Sequence, residues 1–565
     1  MISDNEPDMF HTTGPDTEDQ LAKETSSKAQ NDIDCPSLGQ ILSQLSPPPS
    51  TLPVQTLSLV PVDEQEVLLR RLEDVLAEAT GGAESFEEVQ TILNELWKCQ
   101  SSYLAQAADA LANGSRNDEN RALVVKGNYT AAILNRLSPE LLHVVIPVIY
   151  NISIDYEQGI RESPGGTILL LLDLLSEEGV ALSQFVGLAN CLMSYLDKER
   201  FQDICISQCM VDRVLSVLKQ SLYIKADPSS NGDTKALAQL QLKINQTLSE
   251  VSASPKFSEV YPLGSPLVQT LKDWLASTED QLQICSCVML GNLARSDAVC
   301  EIMVRKMNLH TMLISILRSD ARGAVLHSAL GILKNLAIAG ENRQSLGDAR
   351  IIPAVSRLWG YETVPQVQFA ATSIVRQVII SSTANISCLL GLAPIDEDSS
   401  ASGQTYLSSL LSLCEKTDST PIKTEVGRIV ASICRTIVPK SREADSEAST
   451  LLERLFTMHQ SVALPLGAMI AQSQWPVVRS EGWFALALMA SSKHGTSAVI
   501  DCLQKLDLYP LLEETMSTPV SDSADDADKL KAAKDRDNIV VLIQELLKND
   551  VSQKQFSSPI SAGVY

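Results

Sequence analysis

Aromatic residues are scarce in this chain, since Phe, Trp and Tyr make up only 4% of its 565 residues. β-Sandwiches and barrels usually carry more rings in alternating runs, so this scarcity argues against an all-β fold. Long hydrophobic runs are also missing: the longest, Ile168 to Leu175, is interrupted by Asp173 and is too short to span a bilayer. The sequence shows no signal peptide and no C-terminal lipidation cysteine, so we expect a cytosolic protein without stable membrane insertion.

Signatures of catalysis and metal binding are absent as well. The sequence has no G-x-x-x-x-G-K-[ST] phosphate loop, no G-x-S-x-G elbow and no H-E-x-x-H pair. The twelve cysteines are scattered singly, and Cys285 and Cys287 lack further Cys or His at ligand spacing. His143, His310 and His327 each lie alone on helical stretches. We therefore expect reduced, buried thiols, no metal, no cofactor and no covalent catalysis.

Basic residues are outnumbered. The chain has 45 Lys and Arg against 69 Asp and Glu, a net charge of −24. Residues 1–60 hold nine acids and two bases, so most of the negative charge belongs to the rest of the chain. Nucleic acid is therefore a poor partner, and a basic peptide or protein surface is a good one. The alternative is that the acidity only confers solubility.

One short phrase recurs in the middle of the chain. The segment Gly291–Ala294 (GNLA) returns 43 residues later as Lys334–Ala337 (KNLA), each time followed by a polar turn and an apolar helix start. A period of about 40 residues with only helical patterning is typical of armadillo and HEAT arrays, whose units bury their apolar faces against one another. The sequence therefore predicts an all-α fold, an armadillo-repeat right-handed solenoid.

Composition predicts the domain boundaries. Residues 1–60 are rich in Asp, Glu, Ser, Thr and Pro, which predicts a disordered acidic leader. The solenoid is expected over residues 61–550, with a loop insertion at about 225–235 and a charged linker at about 439–449. Residues 551–565 are expected to form a flexible tail.

Polar residues recur inside the helices that would line the concave face of such an array, the third helices of the armadillo units. Six of them define a candidate partner-binding row: Asn151, Asn190, Asn245, Asn292, Asn335 and Gln377. Asn has poor helix propensity, so its recurrence within helices suggests a function. A row of amides could hold an extended polypeptide chain by hydrogen bonds. The alternative is that each Asn bonds the backbone of a neighbouring helix. Carboxylates accompany the row at spacings that would place them beside the amides: Asp155, Asp197, Glu250 and Asp297.

Two segments resemble the central repeats of the small GTPase GDP-dissociation stimulators. They are Leu290–Asp297 (LGNLARSD), with Cys300 three residues later, and Leu333–Ile338 (LKNLAI). The similarity is specific over Gln283–Leu358, extends from about Phe86 to the C-terminal helix and is absent from the leader.

This resemblance implies a protein that binds Rho- and Rap-type small GTPases with polybasic, prenylated tails. Such a protein stimulates nucleotide exchange on some clients without covalent chemistry, and chaperones them towards membranes. The family's binding groove uses third-helix asparagines, which correspond to Asn292 and Asn335 here. Its acidic patch corresponds to Asp197, Glu199 and Glu250. We also expect a monomer.

Other armadillo proteins offer alternatives. A receptor for basic peptides of the nuclear-import kind would bind without exchange activity, but that family pairs each groove asparagine with a tryptophan one turn away. The tryptophans here fall elsewhere: Trp97, Trp274, Trp359, Trp475 and Trp483. A catenin-like scaffold is a third possibility, although its groove is basic and this chain is acidic.

Overall fold

A computed structural model describes residues 61–78, scattered positions between 88 and 110, residues 160–224 apart from 162, 164 and 178, and residues 231–361, 364–393, 404–443, 445–472, 474–517 and 526–548. Within these ranges the regular structure is helical, apart from one isolated antiparallel bridge between Leu392 and Thr405. None of the helices in these ranges is long and apolar enough to cross a membrane.

From α2 onwards most of the described helices follow one another with short connections. In chain order they are α1 (Val62–Glu78), α2 (Thr167–Leu175), α3 (Leu182–Leu196), α4 (Glu199–Ser207), α5 (Val211–Tyr223), α6 (Asn231–Ala253), α7 (Pro255–Val260), α8 (Pro266–Trp274), α9 (Asp280–Leu293), α10 (Asp297–Arg305), α11 (Leu309–Arg318), α12 (Gly323–Ile338), α13 (Asn342–Asp348), α14 (Ile351–Ser356), α15 (Pro365–Ile379), α16 (Thr383–Leu389), α17 (Tyr406–Lys416), α18 (Thr420–Arg442), α19 (Ser446–Met458), α20 (Leu464–Ile470), α21 (Pro476–Ala490), α22 (Lys493–Lys505), α23 (Tyr509–Ser517) and α24 (Asp526–Lys548). A short 3-10 turn, Arg357–Gly360, follows α14.

From α4 onwards the helices group in threes, and each group ends in a third helix. The third helices are α3, α6, α9, α12, α15, α18, α21 and α24, and each packs against the next one along the chain. First helices also contact first helices of the following unit, as α4 contacts α7 and α10 contacts α13. This stacking of three-helix units is the predicted armadillo organisation, and it confirms the all-α solenoid.

Polar side chains fix the start of several helices. Five Ser or Thr residues precede a helix and accept a hydrogen bond from the backbone N–H three residues later: Ser265, Ser296, Ser382, Thr405 and Ser492. Each bond satisfies an amide that has no partner within its own helix.

The turn before the second helix repeats one backbone conformation. Cys209, Asn308, Arg350 and Asp507 have φ values of 54°, 54°, 64° and 48°, and each lies one or two residues before a second helix. A residue in this left-handed conformation ends one helix and redirects the chain within a few residues. The same turn therefore recurs although no glycine marks it in the sequence.

The core is an aliphatic layer between each third helix and the first and second helices. In the repeated phrase, Leu293 and Ala294 are each 6% exposed, and Leu336 and Ala337 are fully buried. Burying one leucine side chain contributes roughly 1.5–3 kcal/mol. The Leu-Ala pair is thus a packing element of these two units, while the preceding Asn is only partly covered.

The charged linker predicted at about 439–449 is shorter in the structure. α18 continues through Arg442 with Pro439 exposed inside it, and α19 begins at Ser446. Lys440 and Arg442 occupy the last turn of α18, where cations are favoured by the helix dipole. The Asp445 carboxylate accepts from the backbone N–H groups of Glu447 and Ala448 at 2.9 and 3.2 Å. The charges that resemble a linker in sequence therefore end one helix and cap the next.

The loop insertion predicted at about 225–235 is also shorter on its C-terminal side, because residues 231–235 already form the first turns of α6. An acid in that first turn, Asp233, suits the positive end of the helix. Residues 225–230, the leader 1–60 and the tail 551–565 lie outside the described residues.

Candidate functional site: the inner face of the third helices

Each third helix leaves one side at least partly uncovered, and we call this side the inner face. On α12 the exposed residues are Ala324, His327, Gly331 and Ile338, with Lys334 partly covered, and they recur at three- and four-residue spacing. The remaining sides of α12 pack against α9, α15 and the first and second helices. Because consecutive third helices lie side by side, their inner faces together form a continuous surface on which a partner could lie.

The inner face of the middle units is low in charge and carries small residues. α3, α9, α12 and α15 together contain three charged residues: Asp280, Lys334 and Arg376. Gly331 is exposed, and a Cβ built there would meet no other heavy atom within 4 Å. The backbone of α12 is therefore open to close approach at this point.

Asn292 and Asn335 bridge consecutive third helices. The amide nitrogen of Asn292 on α9 donates to the Ser249 carbonyl at 3.0 Å and to the Ser252 hydroxyl at 2.9 Å, both on α6. The amide nitrogen of Asn335 on α12 donates to the Gly291 carbonyl of α9 at 3.2 Å. A carbonyl can only accept, so the nitrogen of each amide must face the neighbouring helix. Each Asn thus bonds a neighbouring backbone, as the alternative interpretation predicted.

The side-chain oxygens of these two amides have a different environment. In the described part of the chain no donor lies against Oδ1 of Asn292 or Asn335. Both residues are partly exposed rather than buried. The bridging role therefore leaves one acceptor on each amide for a hydrogen-bond donor of a partner.

The other members of the predicted row behave differently from one another. Asn245 donates to the Gln281 carbonyl at 3.3 Å and to its side-chain oxygen at 2.7 Å, which joins α6 to α9. Asn190 donates to the Val186 carbonyl of its own helix at 2.9 Å, so it bridges nothing. Gln377 lies partly covered on α15. Asn151 lies outside the described residues.

The predicted carboxylates do not form a row on the third helices. α3 ends at Leu196, so Asp197 follows it and Glu199 opens α4; Asp297 opens α10. Acids in a first helical turn are favoured by the helix dipole, which gives Glu199 and Asp297 a local reason to be there. Glu250 alone lies on a third helix, exposed on α6. Asp155 lies outside the described residues.

The expectation that Asp197 and Asp297 share a helix face with the amides was wrong, because the third helices end before those residues. Basic residues are interspersed at the same ends. Arg200 donates to the Arg161 carbonyl at 2.6 Å, and Arg295 donates to the Ala253 carbonyl. The ends of the third helices therefore carry mixed charge.

In the C-terminal half, ion pairs that the sequence did not reveal also join consecutive third helices. Arg376 on α15 donates through Nε to Oε2 of Glu425 on α18 at 2.7 Å, and Ser373 donates to the same oxygen at 3.2 Å. Arg428, also on α18, donates to Oε2 of Glu481 on α21 at 2.9 Å. The Glu425 residue is only 4% exposed. A chain of alternating charges thus crosses three consecutive third helices.

The pKa of Arg428 reflects its place in this row of alternating charges. Burial lowers the pKa of Arg428, but its hydrogen bond to Glu481 and the charges of Glu481 and Glu425 outweigh this and raise the pKa overall. One unit further on, Arg479 of α21 pairs with the buried Asp535 of α24 at 3.2 Å. The last third helices are therefore joined by the same kind of contact.

First helices supply a second recurring contact. Four side chains donate to a carbonyl six or seven residues earlier, near the C-terminus of the preceding third helix: Gln202, Asn342, Asn385 and Thr496. Asn342 is fully buried and donates to the Leu336 carbonyl at 3.0 Å. Only Asn342 follows the repeated Leu-Ala pair, and the four donors are of three residue types, so the sequence offered no common signal for this contact.

The thiols and histidines have the environments of core residues. Burial raises the pKa of the Cys205, Cys287 and Cys434 thiols to about 12, so they stay protonated at neutral pH. Burial lowers the pKa of His310 and of His459. His327 is exposed on the inner face, and His143 lies outside the described residues.

Comparison with known proteins shows which proteins the chain is similar to. No family model matches it. Rap1 GTPase-GDP dissociation stimulator 1-B of Xenopus laevis is 24% identical over 364 residues, which cover 58% of this chain and 56% of that protein. The GTPase-GDP dissociation stimulator vimar of Drosophila melanogaster is 28% identical over 100 residues, 17% of this chain and 15% of that protein. The chain is a sequence relative of the GTPase-GDP dissociation stimulators.

This relationship confirms the resemblance carried by the repeated phrase. A second Xenopus laevis relative, Rap1 GTPase-GDP dissociation stimulator 1-A, is 23% identical over 285 residues, 50% of this chain and 42% of that protein. The chain therefore spans about half the length of the curated stimulators it matches.

Two solved structures match the fold. A crystal structure of an engineered protein has a TM-score of 0.54 at 16% identity, covering 84% of this chain and 99% of its own. A structure from a study of cadherin and β-catenin has a TM-score of 0.51 at 15% identity, covering 86% of this chain and 96% of its own. At these identities the likeness shows the fold of the chain and says nothing about its function.

Proposed function

We propose that the chain binds a small GTPase on the inner face of its third helices and stimulates release of GDP. The observation that carries this proposal is the sequence relationship to proteins named GDP-dissociation stimulators, on a fold whose third helices lie side by side. The sequence relationship supplies the class of partner, and the inner face supplies a place for it.

Exchange on this surface needs no catalytic side chain. A protein that binds the nucleotide-free GTPase more tightly than the GDP-bound form lowers the affinity of the GTPase for GDP by the same factor. The inner face then has to fit a backbone segment that is accessible only when the nucleotide leaves. The thiols near the third helices are protonated and buried, which agrees with a purely non-covalent action.

The middle units suit a close-lying polypeptide. Oδ1 of Asn292 and of Asn335 can each accept a backbone N–H, and each amide is held in place by its bond to the neighbouring helix. Gly331 is exposed on α12, one turn before Asn335. It leaves room for the main chain of a partner to approach. Preorganised acceptors lose little entropy on binding, so even two hydrogen bonds help to fix the register of a partner.

We further propose, as a finer part of the same function, that a polybasic and prenylated GTPase tail is bound and chaperoned in the cytosol by one copy of the chain. Glu250, Asp197 and Glu199 are exposed acids that could meet such a tail. Because Arg200 and Arg295 lie among them, we expect a modest salt dependence rather than a steep one. A prenyl group would add about 0.8 kcal/mol for each CH₂ it buries.

The test is release of fluorescent GDP from a panel of Rap- and Rho-type GTPases, each with and without prenylation. We expect the full chain to accelerate release from at least one GTPase and to form a complex with its nucleotide-free form. Binding of isolated basic tail peptides as tightly as the whole GTPase, without accelerated release, would favour the peptide-receptor alternative. Capture of no GTPase in either form would refute the proposal.

A further inference from the structure

The inner face of α18 and α21 differs from that of the middle units. Arg435 on α18 is exposed, and its guanidinium carbon lies 5.2 Å from the ring centre of Phe484 on α21. Phe484 is 39% exposed, and Val477, two turns earlier on the same stripe, is 60% exposed. We call Arg435, Val477 and Phe484 the Arg–Phe patch. It combines an exposed cation with uncovered apolar surface.

Arg435 differs in its partners from Arg376, Arg428 and Arg479, three other arginines of these third helices. Arg376, Arg428 and Arg479 each bond a carboxylate, at 2.7, 2.9 and 3.2 Å. Among the described residues, Arg435 forms no ion pair, and its guanidinium lies over the aromatic ring. The array therefore neutralises these three arginines internally and leaves Arg435 available.

The charge of α18 around Arg435 also favours an acidic partner. α18 carries five basic residues, Lys423, Arg428, Arg435, Lys440 and Arg442, against the single acid Glu425. This is a local excess of positive charge in a chain whose net charge is −24. A partner carrying a few carboxylates would be attracted here, whereas a long polyanion would be repelled by the rest of the molecule.

We propose that the Arg–Phe patch is a second docking surface, for an acidic polypeptide segment of a partner protein that carries an apolar side chain next to its carboxylates. A carboxylate of the segment pairs with the Arg435 guanidinium, and the apolar side chain covers Phe484 and Val477. The contact with the Phe484 ring restricts the Arg435 side chain and uses none of its N–H donors, which can then bond the carboxylate. This proposal is independent of GTPase binding by the middle units.

The test uses the full chain and a fluorescein-labelled 15-residue peptide with alternating Asp or Glu and two Leu, followed by fluorescence anisotropy. Two comparison peptides replace either the acids by Asn and Gln or the leucines by Ser. We expect saturable binding of the acidic apolar peptide and weaker binding of both comparison peptides. Arg435→Gln should weaken binding about fivefold to tenfold, as loss of one exposed charge-assisted contact does.

The matched control is Arg442→Gln, which removes the same charge from an exposed residue on the same helix. It should leave peptide binding unchanged, because Arg442 lies two turns away at the end of α18. Phe484→Ser should weaken peptide binding as much as Arg435→Gln does. The double variant should weaken it by less than the sum of the two single effects in free energy, because both residues serve one contact.

Three outcomes would overturn the proposal. The first is no saturable binding of the acidic apolar peptide. The second is an equal loss with Arg442→Gln, or heparin binding with the same dependence on Arg435, which would reduce the effect to general charge. The third is self-association of the chain that Arg435→Gln abolishes, which would assign the patch to a second copy.

Discussion

Gly331 offers a way to block the inner face while stabilising the fold. It lies exposed in the middle of α12, and a new side chain there meets nothing within the chain. Replacing an exposed mid-helix glycine by a good helix former raises the free energy of unfolding by about 0.5–1 kcal/mol. If a GTPase segment lies against α12, the side chain introduced by Gly331→Gln must clash with it, at a cost of about 1–3 kcal/mol. We therefore expect a more stable protein that binds its GTPase about five- to a hundredfold more weakly.

The assay for this variant is titration of the nucleotide-free GTPase together with chemical denaturation. Ser315→Gln is the matched control, because Ser315 is exposed on α11, the second helix of the same unit. It should change neither binding nor exchange. Unaltered GTPase affinity in Gly331→Gln, with the stability gain present, would refute the placement of the partner on the inner face.

Three further predictions concern the contacts between units. Glu425→Gln should lower the free energy of unfolding by about 1–3 kcal/mol, measured by urea denaturation, because Arg376 and Arg428 lose their shared carboxylate but can partly rehydrate. Asn342→Ala should cost about 1–3 kcal/mol in the same assay, since it leaves the buried Leu336 carbonyl without its donor; a cost below about 0.5 kcal/mol would contradict this role. Burial lowers the pKa of His459, so between that pKa and its ordinary value near 6.5 the unfolded chain binds more protons than the folded one. Stability should therefore rise with pH through this window and should not change further with this titration below it, where both states carry the proton, and His459→Gln should flatten the rise.

Packing periodicity could be predicted from the sequence. The Leu-Ala pair that follows each Asn in the repeated phrase is buried, and the helices around it stack in the predicted units. Such positions are set by apolar area, which a single sequence displays directly. The third-helix assignment of Asn190, Asn245, Asn292, Asn335 and Gln377 follows from the same periodicity.

Polar geometry could not be predicted in the same way. Asn292 and Asn335 recur in the sequence, but only the distance between neighbouring helices decides that their nitrogens reach a backbone carbonyl. The ion pair of Arg376 with Glu425 joins residues 49 positions apart, and neither side chain carries a sequence mark of its partner. The position of Asp297 depended on where α9 ends, and helix ends are the least predictable boundaries.

The most direct measurement is site-specific photo-crosslinking to the bound GTPase. A photoreactive amino acid placed at His327, exposed on the inner face of α12, is compared with the same amino acid at Thr311, exposed on α11. Binding on the third helices predicts a covalent adduct with the nucleotide-free GTPase from the His327 position and none from the Thr311 position. Crosslinking from Thr311 alone would place the partner on the second helices and contradict the account.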